Sequence, residues 1–411
     1  MEVIKVSNDI EILDAHKLKK ASESILKLLR RIFEEFGFTS RHLHEISGKR
    51  VTRHTNISHR EKIYLQQQIL YDQKELGVLV DLFLLSCNVE KKKIVEVLAK
   101  DIFLHLLELG ILEEVGADVV CPAHLTPLSD NYFLNDGEKH NDHQEHIIQI
   151  VLEQPYLIEV SKIVLESKFN KNDCKHSVLD ICTGSGVIGQ GIQHGKWSVL
   201  GLDINWRAIE YSRFNAKLNG FSQNSYSLQN IAKETPDGKY DVVISNPPYN
   251  AMVSVDGWDK SSDLDITLHA GVFGNSVSKP IMSKAYNLLN DDGIFFMVGT
   301  TLLKNGKIWH PDVEELSEKG TLIFLHKVIA PATSWEAIRL LFSTTPNYDK
   351  LAPGVFKKLV HSNNGFNEVS WGIIIFIKGG TPGYHLLYNL PTDGELIETS
   401  KIKDLKALID L

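Results

Sequence analysis

The sequence predicts an open, doubly wound α/β sheet preceded by a mostly helical N-terminal block, and three observations carry that expectation. The runs SVLDI (177–181), SVLGLDI (198–204) and YDVVIS (240–245) are short, apolar and bounded, as buried parallel strands are. Helical stretches such as Trp206 to Leu218 and Ser276 to Leu289 separate the runs, which gives strand–helix alternation. Ahead of them, the first third of the chain carries its apolar residues at helical spacing. With 411 residues, the chain exceeds one compact core and is expected to form two domains, 1–145 and 146–411.

In the first block, Leu18, Ile25, Leu29, Ile32 and Phe36 recur on one helical face, and Gly37 offers a stop. VLVDLFLLS, EKKKIVEVLAK and DIFLHLLEL continue the helical pattern to Gly110. ILEEVGADVVCPAHLTPLSDNYFL then changes to short apolar runs with Gly, Pro and Asp punctuation, which predicts a small β-hairpin. Three short helices and a hairpin over about 76–135 read as winged-helix-like. In the second block, GIFFMVG (293–299), LIFLHKVI (322–329) and WGIIIFIK (371–378) add further strands.

Composition excludes several classes. Hydrophobic residues make up 43% and charged residues 23%, ordinary globular usage. The net charge of -8 is spread along the chain, with 19 basic and 24 acidic residues in 1–150, so bulk binding to a polyanion is disfavoured. The start has acidic residues from position 2 and no long apolar run, and Gly77 to Cys87 is broken by Asp81, short of the ~20 residues of a spanning helix. Four cysteines without a C-x-x-C spacing favour a reducing compartment, and a cytoplasmic protein without membrane contact is expected.

Three motifs follow the ends of the predicted strands, where ligands bind in this architecture. Asp180-Ile181-Cys182-Thr183-Gly184-Ser185-Gly186 is a glycine-rich turn whose backbone can approach a ligand closely, while Asp180 suits an ammonium group better than a pyrophosphate. Asp203, 17 residues beyond Gly186, can accept both hydrogen bonds of a ribose diol. Asn246-Pro247-Pro248-Tyr249 directly follows DVVIS. Its prolines lack N–H donors, so Asn246 Oδ1 and the Pro247 carbonyl can accept two hydrogen bonds from an amino group, and Pro248 and Tyr249 can hold a planar substrate.

Together these motifs resemble the class I S-adenosylmethionine-dependent methyltransferases, and within them the N-P-P-Y group that methylates nitrogen. VLDICTGSGVI is similar to the V-L-D-x-G-T-G-S-G-x-I motif of the HemK family of protein glutamine N5-methyltransferases. The resemblance covers about 150–300 and implies a Rossmann-like sheet with a C-terminal antiparallel strand. It implies S-adenosylmethionine as cofactor, with Asp180, Thr183, Gly184 and Gly186 along its methionine portion, Asp203 at the ribose, and Ile204 and Asn230 at the adenine. Asn246, Pro247 and Tyr249 would then be catalytic. Where that family has R-P-E-T-E, this chain has Gln154-Pro155-Tyr156-Leu157-Ile158-Glu159, and Asn230 replaces its usual Asp.

The implied acceptor is a planar amide or amine nitrogen, first a protein glutamine. A small metabolite is the alternative, because winged-helix-like domains also serve small-molecule methyltransferases in dimerisation or as substrate lids. A base amine of RNA or DNA comes third, against the charge, and a non-catalytic cofactor-binding regulator is opposed by Asn246. A homo-oligomer stays open. His140, His143 and His146 spread over about 120° of a helix and read as solvated rather than metal-binding. The segment 40–62 holds six Lys or Arg, four His and two acids and reads as a solvated loop before an RNA or acidic-protein contact. Cys182 reads as a small packing residue.

Overall fold

The computed structural model describes residues 11–47, 74–137, 145–169, 175–249, 276–308, 312–331, 368–389, 391 and 395–409. His140, His143 and residues 48–62 of the basic segment lie outside them, while residues 40–47 form the helix Ser40–Ser47. The chain divides into two compact units, Met1–Pro155 with Thr183–Gly191 and Asn205–Tyr226, and Tyr156–Cys182 with Ile192–Ile204 and Ser227–Leu411.

In the first unit, a 3-10 turn Ala15–Lys20 leads into the helix Glu23–Glu35, which ends where Gly37 adopts a φ of +73°. Lys74–Leu79 continues as a π-helical turn to Leu84, followed by β1 (Val89–Glu90), the helices Lys91–Leu98 and Lys100–Glu108, β2 (Glu113–Val115) and β3 (Asp118–Val120). The small sheet has the order β1-β3-β2. A second hairpin, β4 (Ala123–Leu128) with β5 (Asn131–Asp136), follows at once. Two hairpins thus stand where the punctuation suggested one, because Cys121-Pro122 interrupts pairing between β3 and β4.

The core of this unit packs Leu26, Leu29, Phe33, Phe38 and Phe83 with Ala208, Tyr211, Phe214 and Leu218 of the helix Trp206–Asn219. That helix begins with Asn205, whose side chain accepts from the Arg207 N–H at 2.9 Å, and ends at Gly220 in a left-handed conformation. Its interior is polar as well as apolar. Arg207, 3% exposed, donates to both carboxylate oxygens of Asp136 at 2.7 and 2.9 Å and to the Leu13 carbonyl at 2.7 Å. The Tyr211 hydroxyl and the Ile147 N–H also donate to Asp136.

The second unit is built on a mixed sheet with β6 (Ser177–Ile181), β7 (Ser198–Asp203), β8 (Ser225–Leu228), β9 (Tyr240–Ser245) and β10 (Leu289–Lys304). The short β11 (Lys307–Ile308), β12 (Gly320–Pro331), β13 (Glu368–Lys378) and β14 (Gly383–Tyr388) complete it. The order is β14-β12-β13-β10-β9-β6-β7-β8, with β11 paired to β10. β6 runs parallel to β7 and β9, and β9 parallel to β10. β13 inserts antiparallel to both β10 and β12, the reversed C-terminal strand that the sequence led us to expect.

The short β11 and β14 were not legible in the sequence. β8 buries only Tyr226 and β14 none of its residues fully, so neither shows a long apolar run. Beneath the sheet, Leu179, Val243, Phe295 and Phe376 pack on Ile281, Met282 and Ala285 of the helix Ser278–Leu288. Among the described residues, no helix is long and apolar enough to cross a membrane and no group of three or more metal-ligating side chains converges.

Candidate active site

In the second unit, the register brings the predicted residues to one edge. Ile181 lies opposite Leu202 and Ser245, and Ser245 opposite Met297, so β6, β7 and β9 release Cys182, Asp203 and Asn246 at the same level. The Ser245 hydroxyl donates to the Ile181 carbonyl at 2.7 Å and ties two of these ends together. Asp180 is fully buried. Burial, reinforced by Asp203 and Asp180 nearby, pushes the Cys182 thiol well above its ordinary range, against a hydrogen bond with Ser245. Burial thus favours the protonated thiol.

At the ends of β7 and β8, the Gln229 N–H donates to the Asp203 carbonyl at 2.8 Å. Beside this bond, Ile204 and Leu228 are 49% and 59% exposed, and they offer an apolar surface suited to a planar ring. Ile204 was anticipated; Leu228 was not, because β8 has no apolar run to announce it. Asn230 follows β8 in a local turn. Its Oδ1 already accepts from the Ala232 N–H at 2.9 Å, and its carbonyl accepts from Glu234, a local turn that leaves one lone pair on the side-chain oxygen.

Asn246 follows β9 with its Oδ1 buried and, among the described residues, without a hydrogen-bond partner. Pro247 is buried, and Pro248 and Tyr249 are half-buried. The Tyr249 ring lies on β10 at Gly299, where an added Cβ would sit 3.3 Å from Tyr249 Cδ1. Gly299 therefore makes room for the ring. Pattern reasoning reads such a residue only as the end of GIFFMVG.

The segment Gln154-Pro155-Tyr156 opens the helix Glu153–Lys168. In the first unit, Gln154 accepts from the Val151 N–H at 2.9 Å and closes the turn before the helix. In the second, Tyr156 is fully buried, stacks on Trp371 of β13 with centroids 5.3 Å apart, and accepts from Asn389 Nδ2 at 3.1 Å. The Tyr156 hydroxyl is pushed up by burial, so it remains protonated.

Thr183, Gly184 and Gly186 belong to the first unit. Gly184 and Gly186 have φ of +54° and +79°, and Cys182 just before them +60°. A Cβ on Gly186 would sit 2.6 Å from Gln190 Nε2, whereas a Cβ on Gly184 would meet nothing within 4 Å. Gly186 is required for packing, and Gly184 leaves the backbone open to an approaching group. The turn is held by side chains absent from the motif. Ser212 Oγ donates to the Gly184 carbonyl at 2.8 Å, Asn215 Nδ2 to the Ser185 carbonyl at 2.9 Å, and Asn135 Nδ2 of β5 to Ser185 Oγ at 2.9 Å.

Residues 159–257 match the family model of the methyltransferase small domain. This segment is similar to class I, S-adenosylmethionine-dependent methyltransferase domains. The chain is 27% identical over 179 residues to a release factor glutamine methyltransferase of Streptococcus pneumoniae, covering 40% of this chain and 60% of that one. A ribosomal protein uL3 glutamine methyltransferase of Neisseria gonorrhoeae is 23% identical over 153 residues, 36% of this chain and 51% of that protein. The chain thus spans about half to three fifths of these relatives. A class I methyltransferase structure from Listeria monocytogenes aligns over 96% of this chain and 98% of its own at 14% identity, with a TM-score of 0.38.

Proposed function

We propose that this protein is an S-adenosylmethionine-dependent N-methyltransferase whose acceptor is a planar amide nitrogen, with the side-chain amide of a protein glutamine as substrate. The observation that carries the reading is the buried, unpartnered Oδ1 of Asn246 at the end of β9. A buried acceptor without a donor costs about 1–3 kcal/mol, and an N–H of the substrate removes that cost. The names of the relatives from Streptococcus and Neisseria, both glutamine methyltransferases, support the same acceptor class.

The cofactor fits the residues present. In the second unit, Asp203 presents a carboxylate for the ribose, and Ile204 with Leu228 offers the apolar surface for the adenine. Bound there, S-adenosylmethionine supplies the methyl group. Asn246 Oδ1 and the Pro247 carbonyl accept the two N–H bonds of the acceptor and orient its nitrogen. An amide lone pair is delocalised, and two acceptors on its hydrogens favour pyramidal nitrogen and offset the positive charge that develops. Tyr249, braced at Gly299, supplies the face against which the planar group lies.

The order helix, β1, two helices, β2, β3 supports a winged-helix-like reading of the N-terminal part, in a recognition role. Its last helix exposes Asp101, Leu104 and Glu108, which favours a protein partner over a nucleic acid.

Incubation with methyl-labelled cofactor and fractionated cell extract, followed by mass spectrometry, tests the function. Label is expected on a glutamine nitrogen of a protein; label only on small molecules, oxygen or carbon overturns the acceptor. Asn246→Ala is expected to lower turnover by on the order of a hundredfold with cofactor affinity preserved.

A further inference from the structure

Besides Ser161 Oγ, another buried polar atom of the same unit lacks a partner among the described residues, and its hydrogen-bonding sense is opposite to that of Asn246 Oδ1. It is the indole Nε1 of Trp371, a donor only. Trp371 lies opposite Thr300 of β10, three residues beyond Met297, the residue level with Ser245. Side chains alternate along these strands. Trp371 therefore shares its sheet face with Ile373 and Ile375, which lie opposite Val298 and Phe296, and Phe296 lies opposite Ile244. Asn246 comes two residues after Ile244, directly beyond the last paired residue of β9.

Two strand spacings, about 10 Å, separate β9 from β13, and Trp371 lies two residues, about 7 Å, further along β10 than the level of Asn246, about 12 Å in all. A carboxamide carrying one hydrogen bond on its nitrogen and one on its oxygen spans on the order of 8 Å. The indole is also held rigid. Tyr156 stacks on it, and Asn389, fully buried, fixes Tyr156 by donating to its hydroxyl while also donating to the Leu396 carbonyl at 3.0 Å.

We infer that Trp371 Nε1 donates a hydrogen bond to the carbonyl oxygen of a carboxamide acceptor whose nitrogen is held by Asn246, and so selects amides over amines that lack this oxygen. The inference rests on the amide-methylation reading and adds a specificity-determining residue to it. Pulling electron density toward the oxygen makes the amide nitrogen less nucleophilic, so the contribution of Trp371 is to affinity and orientation rather than to the chemical step.

The test follows the six tryptophan indole signals of the full chain by nitrogen-15 NMR in the presence of S-adenosylhomocysteine, with Trp371→Phe assigning its own signal. The probe is N-acetylglutamine methylamide, and the control is the corresponding methionine compound. The Trp371 signal is expected to shift downfield and saturate with the probe and not with the control. Trp371→Phe is expected to weaken probe binding roughly tenfold, the scale of one neutral hydrogen bond. If probe binding depends on Asn246 while the Trp371 signal stays still and Trp371→Phe binds equally well, the inference falls and the amide reading stands. If the probe does not bind, or binds Asn246→Ala unchanged, the amide reading falls and takes the inference with it.

Discussion

Asp203 is the residue on which cofactor affinity should depend most simply. It closes β7, and its carboxylate can accept both hydrogen bonds of a ribose diol. Asp203→Ala is expected to weaken S-adenosylmethionine and its demethylated product by tenfold to a hundredfold, about 1.5–3 kcal/mol, measured by calorimetric titration. An unchanged affinity would remove the residue from the site. Gly299 has a different kind of importance, because it contributes the absence of a side chain. Gly299→Ala places a methyl 3.3 Å from Tyr249 Cδ1 and must shift the ring by a few tenths of an ångström. Turnover is expected to fall several-fold with cofactor affinity unchanged, and Gly299→Val to fall further. Equal turnover in all three proteins would show that Tyr249 does not position the acceptor.

The helix Trp206–Asn219 is the element that repays attention in the first unit. Its apolar side joins the core through Tyr211, Phe214 and Leu218, while Ser212 and Asn215 reach the glycine turn and Arg207 reaches Asp136. Asp136, 1% exposed, carries three donors in Arg207, Tyr211 and the Ile147 N–H. Removing it strands a buried guanidinium, a loss of about 3–5 kcal/mol in comparable pairs. Asp136→Ala is expected to lower the thermal midpoint by roughly 5–15 °C, followed by circular dichroism. A midpoint within a degree of the parent would mean that the network is replaceable. Only part of this was readable beforehand. The helix itself follows from Asn205, Gly220 and the intervening spacing, but nothing local in Asn135, Ser212 or Asn215 marks them as supports of a turn that lies as much as 50 residues away in sequence.

At the scale of the whole molecule, the chain is not divided where its sequence pattern changes. The core of the first unit contains Leu26, Phe33 and Phe83 from the N-terminal part together with Ala208, Tyr211 and Phe214 from the part with strand–helix alternation. A fragment comprising residues 146–411 would leave that helix face in water, at a cost of about 1.5–3 kcal/mol for each large side chain exposed. The fragment is expected to be insoluble, or to bind a hydrophobic dye and melt without cooperativity. A soluble fragment with a sharp transition and full cofactor affinity would show that the N-terminal part is dispensable to the glycine turn.

The sequence by itself determined the strands β6, β7, β9, β10, β12 and β13, since each contains a bounded apolar run, and it named the residues proposed for the site, since Asp180 and Asp203 fall at the ends of β6 and β7 and Asn246-Pro247-Pro248-Tyr249 follows β9. Only the tertiary structure decided that β13 takes its place between β10 and β12, that Leu228 and Gly299 flank the motif residues, and that Asn135 supports Ser185. The physical reason is the range of the interactions. Burial and backbone freedom leave their mark on neighbouring residues, whereas a hydrogen bond or close contact between distant segments depends on where the chain returns, and no single stretch of sequence records that.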